Sequence, residues 1–250
     1  MARYFSSDEL NKRTGILRQA VTQMLAAKIP TGSVQFSWFK IDCMASESIV
    51  DILRNASNPS GSGQLDSNCA MREVGRGRGI ILPALTQIEL SSGEDIETVL
   101  KHVIGAHPSF SPDPTSHSVI QISIIPRKEK AASNSKTLAP LEQAGTGRLT
   151  FMLLSSFTPD QSICSPQSNR VNFPWVEGLA DVLEQLQSKV TSPSFSKSKT
   201  LLLLRDAITG KQGCTLMLHT TPDEGRWSDS LMWMEISAYL GLEKVASSQR

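Results

Sequence analysis

SKTLLLLRDAITGKQGCTLMLHTTP, Ser198 to Pro222, is the stretch from which the other 225 residues are best read. The apolar run that follows Ser198 carries through Leu204 to Asp206 as a helix. Gly210 supplies a turn, and Thr215 to His219 reads as a buried strand. Leu201 to Leu204 also fits an ordinary core run, so the stretch gains meaning only with its surroundings.

Those surroundings alternate helices with buried strands. Ile16, Leu17, Ala20, Val21, Met24 and Leu25 mark one apolar helix face within residues 6–28, with Ser6, Ser7 and Asp8 as caps and Pro30 and Gly32 as breakers. Val34 to Ile41 alternates and is rich in aromatics, which predicts a strand, and Ile49 to Leu53 follows closely. Residues 55–69 form a polar loop. Ile80–Ile81 and Ile88–Leu90 are short strands; Ser91–Ser92 caps a helix whose buried face is Ile96, Val99, Leu100, Val103 and Ile104. Ser118 to Ile125 and Arg148 to Leu154 are further strands. Trp175 to Leu186 has helical spacing, and so does Trp227 to Tyr239 at the close. The pattern predicts an α/β fold in one domain, residues 1–250. The Gly75–Gly79 run could cradle phosphate, but that needs a helix directly after it; Ile80 to Leu82 reads as strand, which favours a hairpin turn.

Composition excludes several classes. With 25 basic and 24 acidic side chains the formal charge is +1, so no global field attracts a polyanion or nucleic acid. Cys43, Cys69, Cys164 and Cys214 show neither a zinc spacing nor a dense disulfide pattern, which fits a reducing compartment. No apolar run is long enough for a membrane span, and the first residues lack a signal-peptide pattern. His102, His107, His117 and His219 lack metalloprotease spacing, and no nucleophile-elbow motif occurs. Glu142 and Asp160 read as solvated loop carboxylates.

Several of these residues carry a resemblance to the kinesin motor domain. Ser198–Lys199, Leu203–Leu204, Asp206, Gly210, Thr215–Leu216–Met217 and Pro222 fall in the order found near the end of that domain. Lys40–Ile41–Asp42, Val50 to Leu53, Met71–Arg72–Glu73 and the strand–Ser-Ser–helix run to Ile104 are similar to its earlier segments. The resemblance spans residues 14–240. It implies a kinesin-motor-like mixed central sheet with helices on both faces, lacking the first strands and the phosphate-binding loop.

The same resemblance implies where nucleotide chemistry would lie. No GxxxxGK[ST] motif occurs, and the chain begins just after the place where that loop would stand. At the first switch, Ser116 and His117 match the family's pattern. Phe110 stands for its Asn, Asp113 and Pro114 for its serines, and Thr115 for its Arg. His117 by itself reads more readily as a packed or hydrogen-bonded histidine than as a ligand. At the second switch, Leu153, Leu154, Ser155, Ser156, Phe157 and Thr158 replace Asp-Leu-Ala-Gly-Ser-Glu. Thr115 and Thr158 cannot form the charged pair that links the switches. Phosphoryl transfer rests on positioning and charge, so no ATPase activity and no ATP or magnesium binding are expected of this chain, and no metal site.

A binding surface is the function left by this reading. Lys189, Lys197, Lys199, Arg205 and Lys211 lie along the segment that faces the microtubule in kinesins, and they read either as a microtubule-facing patch or as a solvated basic loop. The expectation is a pseudo-motor acting as a microtubule-binding or cytoskeletal scaffolding module, in the cytoplasm on the cytoskeleton, at a centrosome or cilium, or as partner of an active kinesin subunit. Two alternatives stand beside it: a fragment or isoform of a true motor, and a protein-interaction module of a centrosomal or ciliary assembly without microtubule affinity. A sheet without its first strands also predicts an open edge and a poorly soluble or partner-dependent chain.

Overall fold

A computed structural model describes residues 16–27, 32–43, 47–57, 71–73, 80–106, 116–126, 147–154 and 174–215, and residues 231, 234, 236 and 238. The elements run α1 (Ile16–Ala27), β1 (Gly32–Asp42), β2 (Ile49–Asp51), α2 (Ile52–Ser57), β3 (Arg72–Glu73), β4 (Ile80–Ile81) and β5 (Ile88–Leu90). They continue with α3 (Gly93–Ala106), β6 (Ser116–Pro126), β7 (Gly147–Leu153), α4 (Pro174–Gln187) and α5 (Lys199–Ile208). The chain groups into two compact units, one holding residues 1–72 and 82–155, the other residues 73–81 and 156–250.

The first unit is built on a five-stranded sheet ordered β2-β1-β6-β7, with β5 also paired to β1. Every ladder of this sheet among the described residues is antiparallel. Residue parity then sorts the faces. Val34, Phe36 and Trp38 of β1 lie opposite Ile124, Ile122 and Ile120 of β6, and the last two lie opposite Leu149 and Phe151 of β7. This face packs on Val21 of α1, Ile52 and Leu53 of α2, and Ile96, Leu100 and Val103 of α3. Each large side chain fully buried here contributes about 1.5–3 kcal/mol.

The helices are pinned by specific contacts. Arg18 of α1 pairs with Glu97 of α3 at 2.6 Å. Gly93 lies so close to α1 that an added Cβ would stand 2.6 Å from Thr22 Oγ1. Ser92 caps α3 by accepting from the backbone N–H of Glu94 and Asp95, and Asp95 returns the bond by accepting from Ser91 and Ser92. Asp51 is fully buried where β2 runs into α2. Its carboxylate accepts the backbone N–H of Arg54 at 3.1 Å and of Thr86 at 2.7 Å, tying the helix start to the loop before β5.

In the second unit, α4 and α5 meet at Gly178 and Leu201, both buried. A Cβ at Gly178 would fall 2.5 Å from Leu201 Cδ1, so any larger residue requires the buried Leu201 to shift. Ser198 caps α5 by accepting from the backbone N–H of Thr200 and Leu201, and Gly210 ends it with φ 71°. The expected strand from Thr215 to His219 lies outside the described residues beyond Thr215. Residues 231, 234, 236 and 238 are helical. The pairing of β3 with β4 agrees with a hairpin around the Gly75–Gly79 run, although residues 74–79 themselves are outside the description.

Candidate functional site

Two groups of residues are candidates, one in each unit. The first lies where β1 ends and β6 begins. The register sets Ile41 opposite His117 and Asp42 opposite Ser116, so the two residues that match the first switch open β6 beside the last residues of β1. Asp42 also receives the chain back, its N–H donating to the Ser48 carbonyl at 2.9 Å. Between them Glu47 is buried with φ 41°, an uncommon backbone conformation for a non-glycine residue.

Cys43 and His117 are both fully buried, with Sγ and Nε2 3.4 Å apart. Burial pushes the imidazole down from its ordinary value to about 3, so it is neutral at physiological pH. Both groups are closed to solvent, and an imidazole this hard to protonate supplies no positive charge to stabilise a thiolate. Spacing along the chain shows no Cys/His pair. The strand register makes this one; in sequence, Cys43 lies two positions after the strand predicted over Val34 to Ile41 and His117 one position before the strand predicted over Ser118 to Ile125.

The rest of the first switch, Phe110 and Asp113 to Thr115, lies outside the described residues. At the second switch Leu153 ends β7 and Leu154 follows it, both half-buried; positions 155–158 are outside the description. Two aliphatic side chains thus stand where the resemblance would put Asp-Leu. Among the described residues no group of His, Cys, Asp and Glu could hold a metal ion.

The second candidate comprises the five basic residues of the second unit. Lys189 is exposed in the turn after α4, with φ 56°, and Lys211 is exposed just after Gly210. Lys197 pairs with Asp181 of α4, and this carboxylate, helped by Glu177, raises the Lys197 pKa above its ordinary value. Arg205 donates from Nε to the buried Asp206 at 3.2 Å. Lys199 is half-buried in the first turn of α5. Five basic side chains between residues 174 and 215 face four acidic ones, Glu177, Asp181, Glu184 and Asp206, so the segment's field is weak. The structure brings the cations into one unit but ties two of them to carboxylates.

No family model matches the sequence, and no curated protein matches it. Solved structures do. A fast kinesin, described together with its ATPase mechanism and interactions with microtubules, superposes with a TM-score of 0.53 at 17% identity. The match covers 81% of this chain and 55% of the kinesin, so the chain spans about half the length of that neighbour. At such identity the likeness establishes the fold: an α/β sheet flanked by helices, similar to the kinesin motor.

Proposed function

We propose that this chain is a non-catalytic, kinesin-like module that acts as a microtubule-binding or scaffolding element of the cytoskeleton. The observation that carries the reading is a motor-like fold whose switch positions hold the wrong chemistry. Leu153, in place of the Asp, offers no metal-binding oxygen, Pro114 has no hydroxyl, and Thr115 and Thr158 cannot form a charged pair. Binding rather than turnover is the activity such a frame supports.

Co-sedimentation with microtubules, with and without ATP and at two salt concentrations, tests this. The expected outcome is pelleting that ATP leaves unchanged and that salt weakens, since the exposed Lys189 and Lys211 act through screened charge. ATP-sensitive release would overturn the non-catalytic reading. A second reading, a scaffold for a protein partner without microtubule affinity, is favoured by the pairing of Lys197 with Asp181 and of Arg205 with Asp206. Absence of pelleting at low salt would select it.

A further inference from the structure

The loop that joins α4 to α5 is fastened at both ends and open between them. At its start Lys189 takes a left-handed φ of 56°. Its N–H donates to the Leu186 carbonyl at 3.0 Å and that of Val190 to the Gln185 carbonyl at 2.9 Å, which stops the helix. At the far end Phe195 is buried, and the Ser194 N–H donates to Gln185 Oε1 at 2.9 Å. Between these anchors Val190, Thr191 and Ser192 are exposed.

Serines occupy positions 192, 194, 196 and 198 of this loop, and their surroundings differ. Ser198 is buried as the cap of α5, and the hydroxyls of Ser194 and Ser196 bond to each other at 3.0 Å. Ser192 is exposed, takes no part in these bonds, and is the one of the four followed by proline. Pro193 has a fixed φ and no N–H, and it biases the residue before it towards extended backbone. An extended, solvent-facing serine with proline next to it is the acceptor that proline-directed protein kinases take.

We propose that Ser192 is a phosphoacceptor for a kinase of this class, and that phosphate there cancels the attraction of the second unit's basic residues for an acidic surface. In the transfer Ser192 Oγ bonds to the γ-phosphorus of the kinase's ATP, and the bond from that phosphorus to the β–γ bridging oxygen breaks. The hydroxyl proton passes to the kinase's carboxylate base, and ADP leaves. The phosphate carries about −2 charge at neutral pH. Residues 174–215 hold five basic and four acidic side chains, a net of +1, which the modification turns to about −1. It also lands three positions from the exposed Lys189. The switching half of the proposal rests on the microtubule reading above; the acceptor half does not.

The full chain, incubated with a proline-directed kinase and magnesium-ATP, is mapped by peptide mass spectrometry and then sedimented with microtubules. Four other Ser/Thr-Pro pairs occur, at Ser111, Thr158, Ser165 and Thr221, so Ser192→Ala treated in the same way isolates position 192. That variant should melt and, untreated, pellet as the native chain does. Phosphate is expected on Ser192, and treatment should weaken pelleting of the native chain about fivefold or more while leaving Ser192→Ala much closer to its untreated value. No phosphate at position 192 would overturn the acceptor assignment, and equal weakening of both proteins would overturn the switch. A chain that never pellets, treated or not, removes the microtubule reading and the switch with it, while the mapped site still decides the acceptor.

Discussion

Cys43 and His117 lie 74 positions apart in sequence, and their contact has a measurable consequence. An unfolded histidine takes up a proton near pH 6.5, whereas folded His117 resists until about pH 3 because burial disfavours the imidazolium. Between those values the unfolded state binds more protons. His117 therefore costs no stability above pH 6.5, and lowers it progressively as pH falls towards 3, with a slope approaching about 1.4 kcal/mol per pH unit. Asp95 acts in a separate window. Backbone N–H bonds from Ser91 and Ser92 lower its pKa, so its contribution is present above 3.8 and is lost only as pH falls through its lower folded value. Urea titrations between about pH 7.5 and about pH 5 should thus show a declining midpoint for the native chain and a flatter dependence for His117→Gln. Parallel curves for the two proteins would sink this account. Asp51 gives a second residue-scale prediction. Asp51→Ala leaves the N–H groups of Arg54 and Thr86 without their acceptor and should cost about 2 kcal/mol, read from the urea midpoint.

At the scale of elements, the approach of α4 to α5 is the most demanding local geometry. Gly178→Ala forces its new methyl group against the buried Leu201 and should destabilise the second unit by about 1–3 kcal/mol. Ser198→Ala removes an acceptor from two backbone N–H groups and should cost about 1 kcal/mol. Thermal melts that fail to separate Gly178→Ala from the native chain would show that Leu201 yields freely. Most elements were legible because each carries a local signal: alternation over Val34 to Ile41, apolar spacing over Ile16 to Leu25, and the Ser91–Ser92 cap. Pairing was not legible. That β5 and β2 share one side of β1, or that Lys197 is tied to Asp181 sixteen positions earlier, depends on contacts between segments that no local pattern encodes. The candidate site divides in the same way. Its residue types and a packed His117 could be named from sequence, whereas the Cys43–His117 contact and the pairing of Arg205 with Asp206 emerge only from the packed chain.

For the whole molecule, net charge and the His117 titration combine to govern behaviour in solution. The chain's isoelectric point is about 7.7, with a formal charge of +1 at pH 7, so near neutrality little net repulsion separates the copies. Exposed apolar side chains such as Leu149, Leu231 and Met234 then have their best opportunity to associate. Moving the pH in either direction restores net charge, but the directions are not equivalent. Acidification incurs the His117 penalty and populates unfolded chain, while alkalinisation leaves that imidazole neutral in both states. The prediction is that light scattering at fixed concentration is highest near pH 7.7, falls towards about pH 9, and shows no comparable recovery towards about pH 5.5. His117→Gln, measured in the same series, separates the two causes. If its scattering falls towards about pH 5.5 as it does towards about pH 9, the burial of the imidazole is what denies the native chain that recovery. Scattering that follows pH identically in both proteins would instead give the low-pH behaviour an origin other than His117.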